Sequence, residues 1–441
     1  MAESAENDRT AGRLRKSTIV VAVMVVGGAL VLWGVPRGLG AWHLARARDR
    51  LDRREPERAI QSLRTAERWM PADAEVAFLR ARAARKLGRM DEVARSLDRA
   101  SRLGTDPDRV RREETLAAAQ SGQLSGTLSR LPGLLVASGD DADEVCEAFV
   151  EGLVMHHRFH DAAVLLNAWE RDFPDDPRPH AYRAAIEASG SNWENSRTHW
   201  QKALDRAPDD PDYLLALAEC SLELNRPDEA LEFLEACRKA APDKGDEHAF
   251  QMVRYRSLRR KGDNDAARHV LEEMARVSEV PLEVQIELAR MDVESDRIDA
   301  ALDRLEGVVH EAPWNVEARS LFAVALTQAG RDDEAAAERA AVAKLTGMQS
   351  DLQKQLDRIR ETPDDVSARL AAARTLAACS DPRDAIPWLL GVIDLDPGQI
   401  EAHRLLAQLY RQTGVPQLAD QHARIVQRLA LEQDASASSA P

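Results

Sequence analysis

Residues 177–242 read PRPHAYRAAIEASGSNWENSRTHWQKALDRAPDDPDYLLALAECSLELNRPDEALEFLEACRKAAP, and this stretch decides the fold. It holds one design twice, each copy closing on a proline, and Pro174, Pro208 and Pro242 stand at one constant interval. Ahead of each proline runs a small or apolar row: Ala162, Leu166 and Trp169; then Trp200 and Ala203; then Ala230, Leu234 and Cys237. Offsets of three and four place each row on one face of a helix. A fixed period of about 34 residues marks helical hairpins stacked side by side, because one hairpin cannot bury its apolar face alone.

The same unit recurs on both sides of this stretch. Ala59, Leu63 and Ala66 are answered one period later by Val93, Leu97 and Ala100. Second helices are expected to end near Arg276, Pro313 and Leu345, and hairpin turns to fall at Gly190, 225–227, 261–263 and 329–331. Gly88 suits the left-handed turn that ends a first helix. Repeats are therefore expected over 40–103 and 143–347. Between them, 104–142 is broken by Gly122, Gly126, Pro132 and Gly133, which reads as one worn repeat and a place for the stack to bend. Residues 348–362, with Met348, Leu352, Leu356 and Ile359 on one face, predict an extra amphipathic helix. Two further units are expected over 363–430, followed by a small, polar, frayed tail over 431–441.

These units resemble tetratricopeptide repeats, whose pattern places a small residue in the first helix, a glycine at the turn, alanines in the second helix and a proline after it. Leu217, Ala218, Ala230, Leu234, Cys237 and Pro242 follow that pattern; so do Phe322, Ala323, Gly330 and Ala335, and Leu406, Ala407, Tyr410 and Gly414. The unit around Arg254 and Tyr255 departs from it, with bulky residues where small ones are usual. The resemblance covers about 40–430 and implies an all-α, right-handed superhelical solenoid of stacked helix-turn-helix repeats with a concave inner face.

Residues 1–16 are polar, and 17–36 is a run of twenty residues without a charge. At 1.5 Å per residue such a run spans about 30 Å, the hydrocarbon thickness of a bilayer. It exceeds the usual core of a cleaved signal peptide, so a single transmembrane helix over 17–36 is expected, with Trp33 and Trp42 at one interface. Arg13, Arg15 and Lys16 precede the run and only Arg37 follows it closely, which favours a cytoplasmic N-terminus. The repeats would then lie outside the cytoplasm, behind a single-pass membrane anchor. Arg46, Arg48, Arg50, Arg53 and Arg54 pull the other way.

Composition narrows the function classes. The net charge is −15, yet residues 40–112 carry 19 Lys and Arg against 12 Asp and Glu, so the acid lies beyond them. An acidic body argues against general nucleic-acid binding. Aromatic content of 4% and the absence of alternating Val/Ile runs disfavour sheets. The four cysteines form no C-x-x-C pair, and Cys237 falls at a core position. There is no phosphate-cradling glycine loop, nucleophile elbow or H-E-x-x-H, so neither catalysis nor a cofactor is expected. Among His156, His157 and His160, the first and last are four apart and could share a helix face as metal ligands do, but the segment falls at a hairpin turn, where a solvated polar loop is the plainer reading.

Arginine supplies the remaining signal. Arg48, Arg82, Arg256, Arg290 and Arg374 occupy one position of the first helix, which the resemblance places on the concave face; Arg85 and Arg259 lie one turn on. There they would take carboxylates of a partner protein, presented on a peptide or a helix. The competing use is pairing with the chain's own acids. The resulting expectation is a non-enzymatic, membrane-anchored scaffold of the bacterial envelope. The alternative is an assembly or regulatory factor that presents a substrate to a membrane enzyme complex, as the resemblance to cytochrome-maturation and quality-control repeat proteins implies.

Overall fold

The computed structural model describes residues 35–438, and among these it contains α- and 3-10 helices and no strand. The chain divides between Ser121 and Gly122 into two compact units. The first holds the hairpins α1 (Val35–Asp52) with α2 (Pro56–Trp69) and α3 (Ala74–Lys86) with α4 (Met90–Arg102), then α5 (Pro107–Gln120). The second opens with the short α6 (Leu131–Ser138). Eight hairpins follow, beginning with α7 (Ala142–Met155) and α8 (Phe159–Asp172), α9 (Arg178–Ser189) and α10 (Trp193–Arg206), and α11 (Pro211–Glu223) and α12 (Pro227–Ala240). Next come α13 (His248–Lys261) and α14 (Asn264–Met274), then α15 (Leu282–Glu294) and α16 (Ile298–Glu311). The last three are α17 (Val316–Gln328) with α18 (Asp332–Glu361), α19 (Val366–Cys379) with α20 (Ala385–Leu395), and α21 (Ile400–Gln412) with α22 (Pro416–Ser438).

Local chemistry sets the helix ends. Asp73, Asp210, Asn315 and Asp365 cap first helices by accepting backbone N–H bonds, and Pro56, Pro107, Pro211 and Pro227 stand in the first turn, where a missing N–H costs nothing. At every hairpin turn but that of α19 and α20 one residue adopts positive φ (Arg54, Gly88, His157, Ser191, Asn225, Gly262, Asp296, Gly330 and Gly414), and Gly122, after α5, does the same. Each step from one to the next is a single period of about 34 residues, except at two places. The step to Gly262 is three longer, and a 3-10 turn over Pro242–Asp246 lies in that interval. That insertion accounts for the irregular unit around Tyr255. The step from Gly330 to Gly414 spans two periods plus sixteen residues.

Those sixteen residues lie in α18, which is 30 residues long where the second helices before it have 11–14. The amphipathic segment expected over 348–362 is thus the distal half of a continuous helix and not a separate element. Likewise α22 runs to Ser438, across most of the stretch expected to fray, since no glycine or proline interrupts it before Pro441.

Each hairpin buries its small and branched residues against the next. Ile286 and Ala289 of α15 and Leu305 and Val308 of α16 share one buried cluster with Ala318, Leu321 and Ala325 of α17. All four cysteines are buried, and burial together with Asp143 pushes the Cys146 thiol up to about 12, so it packs as a small apolar group. The apolar run expected to cross a membrane falls on 17–36, and residues 17–34 of it lie outside the described residues. Among the described residues no helix is long and apolar enough to cross a membrane.

Candidate partner-binding surface

The first helices carry the arginines singled out above, and their partners follow a rule. Arg48 pairs with Glu75 at 3.1 Å, and Arg256 with Glu283, Arg290 with Glu317 and Arg374 with Glu401. In every case the glutamate lies 27 residues on, in the first turn of the next hairpin's first helix. The row is therefore a ladder of ion pairs stitching first helix to first helix. The rule stops at Arg82 because residue 109 is an arginine; Arg109 turns back to Glu75 at 2.9 Å. Burial alone would raise the Glu75 carboxyl, but bonds from Arg109 and Arg48 hold it below its ordinary value. Burial likewise opposes the charge on Arg290, and Glu287 and Glu317 more than offset it.

Arg85 is a correction to the expected surface. Its side chain is 1% exposed, bound to Glu113 at 2.5 Å and to Gln120 at 3.1 Å, and Gln120 donates back to the Arg85 carbonyl. No partner reaches it; it joins α3 to α5. Arg259 is also engaged, by Glu294 at 2.7 Å and Asn264 at 2.6 Å. Arg82 is half-buried, whereas Arg48, Arg256 and Arg374 remain about half exposed. Exposed ion pairs of this kind contribute only about 0–1 kcal/mol, so an incoming carboxylate with bidentate geometry competes on nearly even terms. The signal that betrays the ladder, an acid 27 residues after Arg48, Arg256, Arg290 and Arg374, is present in the sequence but invisible to a reading of one repeat at a time.

The histidine triplet also lands differently. Helix α7 ends at Met155, His157 takes the left-handed turn and His160 is exposed, so the three never share a face. His156 is buried, not solvated: its ring lies where a Cβ on Gly122 would meet it at 2.4 Å and one on Gly391 at 3.0 Å. Its carbonyl accepts from Arg369 at 2.6 Å, and His157 stacks on Trp388 with centroids 4.4 Å apart. Nearby, Asp394 accepts from the backbone of Leu124 and Ser125 and from the Ser125 hydroxyl at 2.9–3.1 Å. The beginning and the late part of the second unit are thus clasped together across more than two hundred residues of sequence. Among the described residues no group of three His, Cys, Asp or Glu side chains is placed to hold a metal ion.

Stacked two-helix units with a period of about 34 residues, pinned first helix to first helix, define an all-α helical-repeat protein. Models described as tetratricopeptide repeat match residues 44–107, 193–254 and 292–354 of the chain. No curated protein matches the chain. Similar solved structures include the human IFIT1 dimer with PPP-AAAA, 16% identical with a TM-score of 0.39, covering 81% of this chain and 91% of that one. The yeast Tom70 structure is 14% identical with a TM-score of 0.35, covering 97% and 95%. The APC/C hetero-tetramer Cut9-Hcn1 is 13% identical with a TM-score of 0.35, covering 95% and 92%.

Proposed function

We propose that this protein is a non-enzymatic scaffold, tethered to a membrane by residues 17–36, that gathers other proteins along its row of first helices. The observation that carries the reading is the set of exposed arginines, Arg48 in the first unit and Arg256 and Arg374 in the second, which repeat one cationic group at one helical position of a unit that can be added without closing a core. Extended or helical segments bearing carboxylates suit such a row, with the arginines giving orientation more than affinity. The uncharged run 17–36, flanked by Arg13, Arg15 and Lys16, supports the anchor with the repeats outside the cytoplasm, in a bacterial envelope.

The test keeps the fold intact. Replacing Arg256, Arg290 and Arg374 together by glutamine removes three of the paired cations without setting like charges against Glu283, Glu317 and Glu401. Proximity labelling around the tethered protein should lose its principal neighbours in this variant while circular dichroism stays unchanged. Identical neighbour sets would remove the arginine row from the proposal. A reporter fused at the C-terminus that is active only in the cytoplasm would overturn the orientation.

A further inference from the structure

The extension of α18 leaves a mark on the surface. In the preceding unit Ile286, Ala289, Leu305 and Val308 are all buried under α17. Their equivalents one period on are Ser320, Ala323, Arg339 and Val342, and these line an open groove of about 460 Å³ together with Val324, Thr327 and Gln328. By the repeat's own logic α19 should cover them. Instead α18 continues for sixteen further residues, roughly 24 Å of helix, and α19 packs on its far half. There Ala368 and Ala372 bury against Ile359, with Leu352 alongside, and Thr375 reaches Gln355. The groove is the seat of a first helix that the chain does not fill.

The residues in the seat fit that description. Val324 stands one period after the ladder arginine Arg290 and, allowing for the sixteen added residues, one period before Arg374. Where no following helix exists to receive an arginine, the sequence places a branched apolar residue, and Val324 is 46% exposed. Arg339 replaces the buried Leu305 of the previous unit. Its hydrogen bond goes to the Thr327 hydroxyl at 3.1 Å, and among the described residues no carboxylate pairs with it.

We infer that this groove binds an amphipathic helix of a partner protein, with a stripe of small apolar residues over Val324 and Val342 and a carboxylate for Arg339. The inference rests on the scaffold reading for its biology, but not on the arginine ladder. Continuity argues for a helix, since the equivalent surface one unit earlier holds one; charge argues for an acid on it.

The probe is the helix that fills the equivalent seat: a stapled, fluorescein-labelled peptide of Val316–Gln328, titrated by anisotropy against the full-length protein in nanodiscs. A second peptide carries Arg319→Glu, so that its only charges are carboxylates. Saturable binding of both is expected, tighter for the acidic peptide, and that advantage should vanish in Arg339→Gln. Val324→Asp should weaken both at least about tenfold, since it sets a charge against the apolar stripe. No saturable binding, or binding indifferent to Val324→Asp, overturns the inference. So does a melting temperature lowered by several degrees in Val324→Asp, which would mean the chain itself fills the seat. A dimer that dissociates on Val324→Asp makes the occupant a second copy and equally overturns it. None of these failures touches the ladder, which stands or falls on the triple glutamine variant.

Discussion

Arg85 and Glu113 show what a charge does when the stack closes over it. Both side chains are at most 5% exposed, and taking two ions out of water is offset only while each keeps its partner. Glu113→Ala should therefore destabilise the first unit by about 3–5 kcal/mol, and adding Arg85→Met should recover much of that loss, because an apolar pair carries no desolvation cost. Urea unfolding of the single and double variants measures both; a double variant no more stable than Glu113→Ala would contradict the account. The same pair sets the limit of reading function from an arginine row. Sequence places Arg82 and Arg85 on one helix face, yet which of them the next helix covers depends on packing, and no local pattern reports packing. The ladder pairs were legible in principle, since Glu75, Glu283, Glu317 and Glu401 are visible at a constant offset.

Helix α18 is the element that sequence reading divides in two. Gly347 follows Leu345 where an ordinary second helix ends, and a glycine there looks like a left-handed cap. In the structure Gly347 is helical, with open space around the position of an added Cβ. Gly347→Ala should accordingly stabilise by about 1 kcal/mol through helix propensity alone, seen as a higher urea midpoint with no loss of helix signal. Were the helix broken there, alanine at a positive φ would lower it instead. The remaining elements were readable because each has its own punctuation. Prolines open the helices, aspartates cap them, and a left-handed residue recurs at almost every hairpin, including His157, Ser191 and Asp296, where no glycine advertises it. The three-residue insertion at Pro242–Asp246 and the extension of α18 are the two places where the period breaks, and only the folded chain shows where the extra residues go.

At the scale of the whole second unit, the clasp between residues 122–158 and 364–394 had no signature in the sequence, because its members are distant along the chain and belong to no motif. A positional pattern selects Arg374 and ignores Arg369, five residues earlier on the same helix, although Arg369 is the buried one. The clasp makes the unit sensitive to acid, and the sign follows from its histidines. Burial, with Arg369 next in weight, lowers His156 and His157 to about 4. Arg158 and Arg360 add to the opposing charge, while Asp394 and Asp364 only partly counter it. Opened or unfolded chain binds protons at these rings from about pH 6.5 downward, and the closed form does not until about pH 4. The clasp is therefore at full strength above pH 6.5 and weakens as pH falls through the window from 6.5 to 4. Hydrogen exchange should show the amides of 122–130 and 385–395 losing protection in that window, while those of α15 and α16, remote from these rings in sequence, change far less. Asp394→Ala, which removes the acceptor for Leu124 and Ser125, should produce the same loss already at pH 7.5. Protection of both stretches that is flat from pH 7.5 to 4.5, or untouched by Asp394→Ala, would show that the two ends are held by something other than these contacts.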